Sequence, residues 1–213
     1  MARVIIFGGH GKVALLLARD LTQRGDHVSS VFRNPDQSDD VAATGAKPVV
    51  SDIERLDTNA LADLVAGHDA VVFSAGAGGG NPERTYAVDR DAAIRVIDAA
   101  AQAGVKRFVM VSYFGAGPDH DVPQDDPFFA YAQAKAAADA HLRASGLDWT
   151  VLGPGRLTLD PATGKIAVGQ ANGQVSRADV ALVAAAALAD DSTVRRIIEF
   201  NNGDIPIAEA LAN

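Results

Sequence analysis

Three short apolar runs in this chain are continuous rather than alternating: VIIF at Val4–Phe7, AVVF at Ala70–Phe73 and FVMV at Phe108–Val111. A strand with one wet face alternates apolar and polar residues, so an unbroken run fits a strand covered on both faces. Each run is followed by a stretch of helical periodicity, and that alternation has a parallel sheet between two helix layers as its natural solution. Strands are expected at Arg3–Phe7, His27–Arg33, Lys47–Asp52, Asp69–Ala75, Arg107–Ser112, Trp149–Gly153 and Ile197–Asn201. Helices are expected at Gly11–Arg24, Arg55–Ala66, Arg84–Gly104, Phe128–Ser145 and Arg177–Ala189, with Gly104 and Gly146 as C-terminal stops. The last helix is so rich in Ala that it predicts close packing on a neighbour.

The fold class is therefore α/β, a doubly wound parallel sheet with helices on both faces. A chain of 213 residues builds one well-buried core. About 60 residues follow Gly153, too few for a separate substrate domain. One domain over 1–213 is expected, with a small substrate side formed by 113–127 and 154–176. The two long connections, Ala75–Pro82 and Gly115–Pro127, both leave the C-terminal ends of strands. In an open parallel sheet that is the ligand edge.

Composition narrows the function classes. There are no cysteines, which excludes disulfides, thiolate zinc sites and cysteine nucleophiles. The five histidines (10, 27, 68, 120 and 141) show no metal-ligand spacing, so no metal is expected. The net charge is −8 with Lys and Arg scattered, so no nucleic-acid partner is expected. No apolar run approaches the ~20 residues that cross a bilayer. The opening MARVIIFGG is too short and Gly-rich for a signal-peptide core, and a soluble, cytoplasmic protein is expected.

The first strand runs into Gly8-Gly9-His10-Gly11-Lys12-Val13-Ala14. Gly8 permits a tight turn off the strand. Gly11 lacks a Cβ, so a pyrophosphate can approach the backbone at a helix N-terminus, where free N–H groups and the helix dipole favour an anion. Ala14 lets the helix lie close on the sheet. The pattern reads as a Rossmann-type dinucleotide site. Lys12 is open between a charge beside the phosphates and a solvated first-turn residue.

NAD sites place an acid at the end of the second strand to bind the ribose 2′-OH. Here that end carries Arg33, 25 residues after Gly8. A guanidinium suits a 2′-phosphate, so NADP(H) is preferred over NAD(H) in this reading. Asp36 is the ribose acid if the turn folds back. Asp52 is open between an adenine contact and a helix N-cap.

Tyr131-Ala132-Gln133-Ala134-Lys135 sets Tyr and Lys four apart on one helix face. The Lys ammonium beside the phenol would lower its pKa from about 10 and make Tyr131 a proton donor for a carbonyl/alcohol couple. The same Lys135 can hold the nicotinamide ribose. Ser112, at the end of the preceding strand, would add a hydrogen bond to the substrate oxygen. Ser112, Tyr131 and Lys135 are the candidate catalytic set.

These features resemble the short-chain dehydrogenase/reductase superfamily, and more closely its small atypical branch of NmrA-like and biliverdin-reductase-B-like NAD(P)-binding proteins. FGGHGKVA, VKRFVMVS, the block YAQAKAAADAHLRASGLDWTVLGPGRLT, SRADVA and GDIPIAEAL carry the likeness, which spans essentially the whole chain. The chain departs from the pattern at Phe7, at Ala14, at Asp89, where many relatives carry Asn, and in the 19-residue separation of Ser112 and Tyr131. The resemblance implies that Pro154-Gly155 lies beside the nicotinamide, with Thr158 near the carboxamide. The full cofactor-binding set is then Gly8, Gly9, His10, Gly11, Lys12, Val13, Arg33, Asp52, Ile53, Ala75, Gly76, Lys135, Pro154 and Gly155. The function expected is an NADP-dependent oxidoreductase reducing a small carbonyl, quinone or flavin-like acceptor. A regulatory sensor of NAD(P) is the alternative. A sugar-nucleotide epimerase normally needs a larger C-terminal region. The partner expected is a small molecule, and the assembly a monomer or small homo-oligomer.

Overall fold

A computed structural model describes residues 1–78 and 80–212. Its strands are β1 (Arg3–Phe7), β2 (His27–Phe32), β3 (Lys47–Val50), β4 (Ala70–Phe73), β5 (Arg107–Val111), β6 (Asp148–Pro154), β7 (Arg156–Thr158), β8 (Lys165–Val168), β9 (Gln174–Ser176), β10 (Arg196–Asn202) and β11 (Ile205–Pro206). Nine of them form one sheet in the order β11-β8-β10-β6-β5-β4-β1-β2-β3, and β7 and β9 make a separate pair. From β3 to β10 every pairing is parallel; β8 then runs antiparallel to β10, and β11 antiparallel to β8. The doubly wound sheet is thus as expected, with an antiparallel edge that the Gly-rich C-terminal stretch concealed.

The helices are α1 (Lys12–Gln23), α2 (Ser38–Ala42), α3 (Thr58–Val65), α4 (Pro82–Thr85), α5 (Ala93–Gln102), α6 (Phe129–Ala144), α7 (Arg177–Ala189) and α8 (Ile207–Ala212). Alternate residues of β1 serve opposite layers. Val4 and Ile6 pack with α1 and α7, whereas Ile5 and Phe7 pack with α3 and α5. This is why VIIF is unbroken: both pleat faces are dry, and each such side chain stabilises by ~1.5–3 kcal/mol on burial. The Ala-rich α7 packs on α1, as its composition predicts. Among the described residues no helix is long and apolar enough to cross a membrane.

The helix expected at Arg84–Gly104 is more complex. It begins two residues earlier, at Pro82, and Asn81 caps it, its side chain accepting from the Arg84 N–H at 3.0 Å. A π-helical segment over Tyr86–Ala92 then joins α4 to α5. The wider turn carries Asp89, which is 1 % exposed. The helix expected from Arg55 begins at Thr58, because Asp57 is its N-cap, accepting from the Ala60 N–H at 2.8 Å. Asp52 is therefore no helix cap; it closes a turn by accepting from the Glu54 N–H.

Register aligns the chain exits. Phe7 lies level with Val31 on β2 and Phe73 on β4. The first glycine, the segment bearing Arg33 and the Ser74–Gly76 turn consequently leave the sheet along one edge.

Candidate functional site

At that edge Gly8 adopts φ +84°, and a Cβ there would meet the Ala75 Cα at 2.5 Å. Gly9 is equally tight, its would-be Cβ 2.9 Å from the Ser30 carbonyl carbon. The Gly8 and Gly9 amides both donate to the Val31 carbonyl, at 3.1 and 2.8 Å, and the Gly11 amide donates to Gly8 at 2.8 Å. These three glycine donors are spent on the turn. No side chain caps α1, which leaves the first-turn amides of Lys12 and Val13 facing whatever lies ahead of the helix. At Gly11 a Cβ meets the Gly8 oxygen at 3.1 Å and otherwise only ordinary contacts, the Ser74 oxygen at 3.8 Å and the Ala14 Cβ at 3.9 Å. The residues expected to bind therefore divide. Gly8 and Gly9 shape the loop, Val13 is buried under it, the Lys12 side chain is exposed, and Gly11 keeps the approach open.

A cavity of about 480 Å³ lies in front of this turn, lined by Gly8, His10, Gly11, Arg33, Asp52, Ile53, Ala75 and Gly76 among others. Its size and its place beside the glycine turn fit the adenosine half of a dinucleotide. Arg33 Nη1 donates to Glu54 Oε1 at 2.9 Å, and Arg84 Nε donates to the same oxygen at 3.2 Å. Two guanidiniums thus share one carboxylate at the cavity wall, and Asp52 adds a second carboxylate to the lining. Asp36 does not line this cavity; its amide donates to the Asn34 side chain in an exposed turn. His10 lines it with Nε2 2.9 Å from Asp40 Oδ2.

A second cavity of about 560 Å³ is lined by Ser112, Tyr113, Phe128, Tyr131, Pro154, Gly155 and Leu157, with further backbone from 171–173. Ser112 and Tyr131 therefore converge despite their separation in sequence. Phe128 and Tyr131 stand 5.1 Å apart centre to centre, and Tyr113 lies 5.1 and 5.6 Å from them. The three rings form an aromatic wall suited to a flat, conjugated guest. Thr158 stays outside the wall, its carbonyl accepting from Arg177 at 2.9 Å.

Lys135 corrects the sequence-based picture. It is 1 % exposed and lines neither cavity; its Nζ donates to the Val111 carbonyl at 2.8 Å and lies 5.8 Å from the Phe73 ring centre. The Tyr131 phenol is not lowered. Burial pushes its pKa up, and the carboxylates of Asp89 and Asp139 push it further. The lysine charge acts on those two acids instead. Burial raises both, and Lys135 pulls each back towards ionisation. Asp89 Oδ2 accepts from the Ala77 amide at 2.9 Å, and Asp139 Oδ2 lies 2.5 Å from Ser112 Oγ. Among the described residues, each acid keeps one buried oxygen with no hydrogen-bond partner.

A family described as NAD(P)H-binding matches residues 8–191. The chain belongs to this family. The likenesses that follow are consistent with the atypical short-chain dehydrogenase/reductase superfamily. A Bacillus subtilis protein named an uncharacterized sugar epimerase, YhfK, is 35% identical, covering 98% of each chain. The solved structure of a putative NAD-dependent epimerase/dehydratase from Bacillus halodurans is 34% identical with a TM-score of 0.91, covering 100% of this chain and 99% of its own. ChuY of Escherichia coli O157:H7, described as an anaerobilin reductase, is 25% identical with a TM-score of 0.77, covering 95% of this chain and 98% of its own.

Within this NAD(P)H-binding chain, sequence reasoning missed Glu54, Arg84 and Asp139. Glu54 and Arg84 lie 30 residues apart and meet only through the fold. Asp139 carried a signal: it follows Lys135 by four, continuing the Tyr131–Lys135 face by one more turn.

Proposed function

We propose that this NAD(P)H-binding chain is an NADPH-dependent reductase of a small carbonyl, quinone or flavin-like acceptor. The reading rests on one observation above all: Ser112 and Tyr131 line a single aromatic-walled cavity at the same sheet edge as the uncapped α1 N-terminus and the first cavity. Gly11 leaves room for the pyrophosphate, and the Lys12 and Val13 amides would hold it. Arg33 and Arg84 would face a 2′-phosphate. Pro154 and Gly155 would flank the nicotinamide, which supplies hydride. Ser112 and Tyr131 would then hydrogen-bond the acceptor oxygen as charge develops on it, in a site dry enough for such bonds to count. The partner proposed is a small molecule, in the cytoplasm, with the chain acting as a monomer or small homo-oligomer.

The test is steady-state consumption of NADPH with menadione, p-nitrobenzaldehyde and FMN. Stoichiometric loss of NADPH matched by reduced product is expected. An epimerase returns its hydride and consumes no net cofactor. A sensor binds NADPH and turns over nothing. Calorimetry should also give a preference for NADPH over NADH of about tenfold or more, the worth of one charge-assisted contact. Arg33→Ser should remove most of that preference with little effect on NADH. A wild type favouring NADH would assign Arg33 to Glu54 alone.

A further inference from the structure

The proton that a carbonyl acceptor needs has a better source than the Tyr131 phenol. We propose that Asp139 holds this proton and passes it through the Ser112 hydroxyl to the acceptor oxygen, with Lys135 as the fixed counter-charge for the carboxylate left behind. The proposal rests on the reductase reading above.

Three observations carry it. Ser112 Oγ and Asp139 Oδ2 are 2.5 Å apart in a buried contact, short enough for a proton to cross. The heavy-atom geometry is the same whichever oxygen donates, so the hydroxyl is free to turn into the second cavity while the acid donates to it. Ser112 reaches that cavity and Asp139 does not. Asp139 instead borders a separate hollow of about 20 Å³ beside Arg143 and Glu199, room for one water. Finally, Lys135 is buried, bonded to Val111 and free of both cavities, which suits a stationary cation rather than a donor to the substrate.

The step balances. Hydride from the dinucleotide adds to the carbonyl carbon, and the C=O π pair moves onto oxygen. That oxygen takes the Ser112 proton, Ser112 takes the Asp139 proton, and Asp139 becomes a carboxylate opposite Lys135. Burial keeps the Asp139 carboxyl above its ordinary range, with Lys135, the Ser112 hydrogen bond and Arg143 opposing. The other groups around it are Tyr113, which lies in its field, Tyr131, and Glu199 across the small hollow. A donor of this kind is active while protonated, so turnover should fall as pH rises through its raised pKa.

The experiment follows p-nitrobenzaldehyde reduction against pH in wild type, Ser112→Ala, Asp139→Asn and Tyr131→Phe, with infrared spectra of the apoproteins. Ser112→Ala and Asp139→Asn should each lower kcat by ~10²-fold or more with KM little changed, the size typical of a lost acid–base group. Asp139→Asn should also lose the high-pH fall in rate. Tyr131→Phe should cost only about tenfold, one neutral hydrogen bond. Wild-type apoprotein should show the C=O stretch of protonated carboxylic acids above the ordinary carboxylate range of pH, and Asp139→Asn should lose part of that intensity, the remainder belonging to Asp89. Ser112→Cys keeps a transferable proton and should recover part of the rate. Full kcat and an unchanged pH profile in Asp139→Asn, or no such loss of infrared intensity, would overturn the relay alone. A wild type that reduces no acceptor would overturn the reductase reading and the relay with it.

Discussion

Gly11→Val is expected to abolish dinucleotide binding and to leave the fold intact. The two outcomes separate because of where the new atoms go. Beyond the Gly8 oxygen at 3.1 Å, the Gly11 Cβ position meets the Ser74 oxygen at 3.8 Å and the buried Ala14 Cβ at 3.9 Å, both ordinary contact distances, so the packed core need move little. A valine side chain fills instead the space ahead of the Lys12 and Val13 amides, where a pyrophosphate must sit to use them. Calorimetric titration with NADPH should show at least ~100-fold weaker binding, or about 2.7 kcal/mol. Thermal unfolding should move little. Gly9→Val is the informative contrast: its Cβ would lie 2.9 Å from the Ser30 backbone, so that change should lower the melting temperature first. Unaltered NADPH affinity in Gly11→Val would remove the glycine turn from the binding site.

The second large effect is on stability. Lys135→Met should destabilise the protein by ~3–5 kcal/mol at neutral pH, the cost of leaving buried charge without its partner. For a chain of this size that is a fall of about 6–20 °C in melting temperature. Asp89 and Asp139 are both raised above their ordinary 3.8 by burial, and Lys135 is the charge that opposes this in each. A carboxyl with a raised folded-state pKa favours the fold while protonated, fully so below 3.8, and loses that contribution as pH rises through the raised value. Without the lysine both values rise further. The gap between wild type and Lys135→Met should therefore be small near about pH 4 and widen towards about pH 8. Adding Asp139→Asn to Lys135→Met should recover part of the loss. Urea unfolding across that range measures it, and a gap that does not change with pH would mean that Lys135 acts through packing alone.

Much of the architecture was legible because its signals are local. An unbroken VIIF or AVVF run and a glycine-opened helix report their own burial and their own turn. The π-helical segment was not legible, since Tyr86–Ala92 has ordinary helical residues and only the inward Asp89 marks the wider turn. The antiparallel edge and the β7–β9 pair were missed because three- and four-residue strands among glycines carry too little pattern. The site divides in the same way. Arg33 and Ser112 were marked because they directly follow strands β2 and β5, and Gly11 and Tyr131 because motif spacing sets them at the start of α1 and in the first turn of α6. The role of Lys135 was misread because helix spacing says which residues share a face, not which charges meet them from other elements. Asp89 arrives from the segment after β4 and Asp139 from one turn further along α6, and both feel the lysine charge, whose Nζ is held by the Val111 carbonyl.

Hydride is expected to leave a bound nicotinamide for an acceptor in the aromatic-walled cavity. The direct measurement uses NADPH deuterated at the transferred position of the nicotinamide, with p-nitrobenzaldehyde as acceptor and the alcohol product read by NMR and mass spectrometry. One deuterium is expected on the former carbonyl carbon of every product molecule, and none when Gly11→Val replaces the wild type. Tight NADPH binding with no labelled alcohol would contradict it.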